Sequence, residues 1–188
     1  RTGTSNLTRI MVDNTTGNTT FYNKVGIGTT TPAVPLDVTG DIRTSTGILF
    51  GTDTAAANTL DDYEEGTWTP VLGGSGGTSG QTYGLQAGTY TKVGDMCIAS
   101  GYLTLQAKGT ISNTLQLKGL PFTTRNVTNN IGAAAIARVE AWSLADDHTL
   151  CCHFGENGTA GTFTSYAGAT SGHSTLTTSE VTNTSSII

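Results

Sequence analysis

Apolar residues in the first fifty positions of this chain come mostly in pairs two apart and are then interrupted. Ile10 and Val12, Val25 and Ile27, Leu36 and Val38, and Ile48 and Phe50 follow that spacing, with Phe21 and Ile42 between them. A period of two places both members of a pair on one face of a strand, and the 3.6 period of a helix is missing. Each pair is cut off by Gly, Pro or Thr before it can grow into a strand long enough to cover itself. A single copy of such a segment cannot offset the entropy of ordering its backbone. Residues 1–51 are therefore expected to be a shaft in which copies of the chain pool their apolar faces, three chains wound about one axis with polar residues outward.

Composition extends the β expectation to the whole chain. Thirty-eight of the 188 residues are Thr, 25 are Gly, and only 12% are charged. Thr stiffens χ1 and suits a half-exposed pleated surface, Gly supplies turns, and the residues that build exposed helices are scarce. From Thr67 onward, alternating segments separated by turn residues predict strands near 67–72, 88–93, 96–106, 114–117, 131–142, 149–154, 161–166, 174–177 and 185–188, the pattern of an antiparallel sandwich. In the strand beginning at Met96, Cys97, Ala99 and Gly101 share a face opposite Ile98, and Leu103 and Leu105 point inward. The Gly73–Gly80 run is predicted as a loop. Residues 52–66 form a neck, with Asp53 or Thr54 capping a short helical turn over Ala55–Ala57, and Leu60 and Tyr63 on one side of it.

A net charge of −5 with scattered Lys and Arg leaves no basic stripe for a phosphate backbone or an anionic leaflet, which argues against nucleic acid and membrane insertion. Short apolar runs argue likewise against a spanning helix. Because the chain opens on Arg1 rather than Met, it is expected to be a fragment, and a leader before it stays open. Three cysteines cannot all pair within one chain, and Cys151 and Cys152 are adjacent, so reduced thiols and assembly in a bacterial cytoplasm are expected.

Two stretches resemble phage structural proteins. Val25-Gly26-Ile27-Gly28-Thr29-Thr30-Thr31-Pro32, followed by Leu36-Asp37-Val38-Thr39-Gly40-Asp41-Ile42-Arg43, is similar to the shaft signature ahead of the C-terminal domains of bacteriophage tail fibres. Leu60-Asp61-Asp62-Tyr63-Glu64-Glu65-Gly66-Thr67-Trp68-Thr69-Pro70, continued by Gly88–Asp95 and Leu117–Phe122, resembles the distal domain of tail-fibre and appendage proteins. The resemblance spans roughly residues 25 to 122 and implies a trimeric virion appendage that meets the host, with no chemistry attached to the motif. The fold class expected is all-β: a trimeric intertwined β-shaft (1–51), a neck (52–66) and an antiparallel β-sandwich, jelly-roll-like head (67–188). The expected partners are two further copies, other virion tail proteins, and a host-surface glycan or outer-membrane protein. A virion appendage without receptor binding, and a polysaccharide depolymerase, are the rival readings.

Trp142, Tyr166 and His173 fall near predicted strand ends in the distal half, where binding residues concentrate, and are the expected receptor contacts. No catalytic residue, metal site or cofactor is expected. Asp61, Asp62, Glu64 and Glu65 include the carboxylate pair a glycosidase would need, but acids crowded into five positions beside a neck read better as a solvated or hydrogen-bonded cluster. Trp68 and Tyr63 read as packing aromatics rather than sugar platforms. Cys151, Cys152 and His153, with His148 near, lack zinc-knuckle spacing, and on a strand only Cys151 and His153 share a face. Gly26-Ile27-Gly28 and the Gly73 run lack the remaining residues of a dinucleotide fingerprint or P-loop and read as turns.

Overall fold

The computed structural model describes residues 10–12, 15, 19–52, 54–128, 131–144, 148–167 and 172–188. The chain divides into two compact units, residues 1–48 and 49–188, and its regular structure is predominantly strand.

In the first unit, Ile10–Val12 (β1) pairs antiparallel with Thr19–Phe21 (β2), and Val25–Ile27 (β3) pairs parallel with Leu36–Val38 (β4). The link between β3 and β4, residues 28–35, is shorter than the dozen or so residues that a parallel crossover ordinarily takes. It is held from within, Lys24 Nζ donating to the Ala33 carbonyl at 2.7 Å and the Ala33 N–H to Asp37 Oδ2 at 2.8 Å. Gly28 turns the chain with φ of 73°, and a Cβ there would press on the Thr39 carbonyl. Among the residues of this unit whose burial is described, none is buried, and Tyr22, Ile27, Leu36 and Ile42 are each more than half exposed.

The second unit opens with a 3₁₀ turn, Ala56–Asn58. Its strands are Tyr63–Trp68 (β5), Val71–Gly74 (β6), Gly77–Ser79 (β7), Thr82–Val93 (β8), Met96–Ala107 (β9), Thr110–Ser112 (β10), Leu115–Lys118 (β11), Gly132–Ala134 (β12), Val139–Trp142 (β13), His148–Phe154 (β14), Ala160–Ala167 (β15), His173–Thr175 (β16) and Val181–Ile187 (β17). One antiparallel sheet runs β13-β17-β9-β8-β5; the other runs β12-β14-β15-β11-β6, with β16 added on β15, and β7 and β10 form a separate ribbon. Alternation drives the two sheets together. Leu103 and Leu105 of β9 with Val181 and Ile187 of β17 join Leu72, Leu115, Cys152 and Phe163 from the other sheet in one buried cluster. Leu176, after β16, completes it, its carbonyl accepting the Leu115 N–H at 2.7 Å.

Several boundaries differ from expectation. The strand expected over 67–72 is two strands in different sheets, split around Pro70, which has no N–H for a ladder. Residues 63–66, expected in the neck, are already ladder-paired in β5, and the second compact unit begins at Leu49. The Gly73–Gly80 run is not an open loop. It closes as β6 and β7 around Ser75 and Gly76, with the Gly74 N–H donating to Thr78 Oγ1 at 3.0 Å. The expected strand 131–142 is likewise divided, β12 and β13 belonging to different sheets. Of the two expected caps, Asp53 lies outside the described residues; the 3₁₀ turn is preceded by Ala55, with no side-chain cap.

Candidate functional site

The inward face of β5, β8 and β9 is built on glycines. Registers align Glu64 with Lys92 and Cys97, Gly66 with Tyr90 and Ala99, and Trp68 with Gly88 and Gly101. The Trp68 ring occupies the space left by Gly88 and Gly101, where a Cβ on Gly101 would come within 2.8 Å of it, and its Nε1 donates to the Ser100 carbonyl at 2.8 Å. Tyr90 likewise lies over Gly66. The sequence signature centred on Gly66-Thr67-Trp68 thus describes aromatic rings seated on a glycine-floored sheet, a packing arrangement.

Beside Trp68 a cavity of about 670 Å³ opens between the two sheets. Ala99 and Gly101 line it from one sheet, Ala134 and Phe154 from the other, and Phe122 and Ile136 from the connecting segments. Alanine and glycine on opposed strands leave the space that larger side chains would fill. At the rim, Arg125 pairs with Asp95 at 3.0 Å and Lys92 pairs with Asp62. Phe122 meets Tyr90 edge-on with centroids 5.0 Å apart, and Lys92 Nζ stands 5.4 Å from the Phe122 ring centre. The depth is apolar and the mouth charged, the make-up of a binding pocket in the usual size range of about 300–1,000 Å³.

Of the acidic group at 61–65, three side chains have identified partners. Glu64 and Glu65 project to opposite faces of β5, Glu64 accepting from the Tyr90 hydroxyl and Glu65 from that of Tyr63. These bonds raise the pKa of both phenols, since a proton shared with a carboxylate is harder to remove. Asp62 is held by Lys92.

Tyr166 and His173 are brought together. They are cross-strand partners of β15 and β16 with ring centroids 5.8 Å apart, and both are exposed. Trp142 stands elsewhere: it packs edge-on against buried Phe163 at 5.4 Å, and its buried Nε1 has no hydrogen-bond partner among the described residues. Position near a strand end was the signal for all three, and only two sit on an exposed surface. The Phe122–Arg125 segment and the alanines at 133–137 were missed; the run of small residues was their one legible mark.

Cys151 and His153 share the outer face of β14 while Cys152 points into the core. Burial, with a smaller contribution from Cys151, pushes the Cys152 thiol up to about 12. Burial also raises Cys97, beside the cavity. Among the described residues no three His, Cys, Asp or Glu side chains form a metal-binding group, and no helix is long and apolar enough to cross a membrane. Neither a family model nor a curated protein nor a solved structure matches the chain.

Proposed function

We propose that this chain is part of a homotrimeric virion appendage of the tail-fibre type, whose 49–188 unit attaches to a glycan or protein on the host surface. The observation that carries the reading is the exposure of Tyr22, Ile27, Leu36 and Ile42 in a first unit where, among the residues whose burial is described, none is buried. Side chains of this kind gain about 25 cal/mol for each Å² they bury, and further copies of the same segment offer the surface to bury them. The shaft-like and distal-domain-like stretches at 25–43 and 60–122 point to the same assembly.

In this reading the first unit is the intertwined shaft and the two-sheet unit is the jelly-roll-like head, assembled with reduced thiols in the bacterial cytoplasm. Three identical weak sites on one particle bind a repetitive surface firmly, because the second and third contacts form at high effective concentration. Tyr166 and His173 provide an exposed aromatic pair for sugar contact, while Glu64 and Glu65 are engaged by tyrosine hydroxyls and Asp62 by Lys92. A second reading, an appendage that only docks to other virion proteins, is favoured by an apolar group on the outer face of β5, β8 and β9.

Immobilised bacterial lipopolysaccharides and capsular polysaccharides, titrated with the full chain, test the proposal. At least one should bind, and Tyr166→Ala should weaken it about tenfold, or ~1.4 kcal/mol. A multi-chain particle that binds none of them and no bacterial cells would leave the purely structural reading in its place.

A further inference from the structure

The ladder of β5, β8 and β9 sets Tyr63 opposite Val93 and Val93 opposite Met96, and in the next outward-facing row Glu65 opposite Thr91 and Thr91 opposite Ile98. Cross-strand partners project to the same side of a sheet, and the inward positions between these rows are taken by Glu64, Lys92 and Cys97. Tyr63, Val93, Met96 and Ile98 therefore form one outward group, 60%, 38%, 59% and 66% exposed respectively. The next row along the same face is Thr67, Thr89 and Ser100, with Thr89 Oγ1 and Ser100 Oγ hydrogen-bonded at 3.0 Å. The outer face of this sheet is thus polar where threonine and serine occupy it and apolar at one end, around the Val93–Met96 turn. None of these four side chains belongs to the buried core cluster, which lies on the other side of the sheet.

We propose that this group is where the 49–188 units of separate copies of the chain pack on one another, an inference that rests on the multi-chain reading above. Four side chains cover far less than the roughly 1,200–2,000 Å² that a free-standing interface buries, so the group can hold only a partner that is already close. A second copy meets that condition. β5 begins fifteen residues after Ile48, where the first unit ends, so copies joined through residues 1–48 hold their 49–188 units at high effective concentration. The acid within the group is also accommodated: Glu65 accepts from the Tyr63 hydroxyl, so closing a second copy over the patch does not strand a carboxylate without a donor.

Met96 makes the test direct, because a thioether exposed to solvent is oxidised by peroxide and a covered one is protected. The full chain, its mass followed by light scattering, is treated with dilute hydrogen peroxide, and Met96 sulfoxide is measured by peptide mass spectrometry against the same chain unfolded in urea. Oxidation is expected to be at least tenfold slower in the multi-chain protein, and Ile98→Glu should restore most of the unfolded-chain rate by placing a charge in the contact. A multi-chain mass with Met96 oxidised at the unfolded rate would overturn the proposal while leaving the multi-chain reading intact. Slow oxidation that Ile98→Glu does not relieve would assign the protection to another surface and would also overturn it. A single-chain mass would remove the reading on which the proposal stands.

Discussion

Glu180 shows how much a single residue does in the turn between β16 and β17. Its carboxylate accepts from the Thr177 N–H at 2.8 Å, the Thr177 hydroxyl at 3.1 Å and the Ser179 hydroxyl at 2.9 Å, in a T-x-x-E spacing that supplies the glutamate half of a capping box for the 3₁₀ turn Thr178–Glu180. Burial pushes its pKa up, but the hydrogen bonds from Ser179 and Thr177 outweigh that and hold it below the ordinary carboxylate value. A carboxyl depressed in the folded state contributes stability that is complete above its unfolded pKa, about 4.3, and that is lost as pH falls through the folded value. Glu180→Gln should therefore cost about 1 kcal/mol at pH 7 in urea unfolding. The gap between variant and parent should narrow below about pH 4. The T-x-x-E spacing could be read from the sequence, whereas the separation of Trp142 from Tyr166 and His173 could not. All three sit near strand ends, and only the sheet assignment, β13 in one sheet and β15 with β16 in the other, sends Trp142 onto Phe163.

Among the elements, those with strict alternation were the most legible. The β9 segment was expected over 96–106 and forms over Met96–Ala107, with Leu103 and Leu105 buried as their spacing requires. β14 and β15 were placed to within a residue or so at each end. Segments whose ends depend on a partner strand were misplaced: the break at Pro70 and the split between β12 and β13 follow from membership of different sheets, which is a long-range property. The glycine-floored platform under Trp68 gives a test at this scale. Gly88→Ala should destabilise the chain by about 1–3 kcal/mol, because the added methyl overpacks the indole. Gly155→Ala, where a Cβ meets nothing within 4 Å, should stay within about 0.5 kcal/mol of the parent in the same denaturation experiment.

For the whole molecule, the sequence made the all-β character legible, because it follows from local spacing and composition. It did not reveal the cavity, whose walls are Ala99 and Gly101 on one sheet facing Ala134 and Phe154 on the other, positions up to 55 residues apart that meet only once the sheets are stacked. The larger consequence lies in the first unit, where short paired strands leave Tyr22, Ile27, Leu36 and Ile42 facing solvent in a single copy. Further copies of the same segment offer the surface that would cover them. Light scattering of the full chain in dilute solution tests this most directly. A mass near three times 19.4 kDa is expected; a mass of one chain at every concentration would contradict the multi-chain assembly.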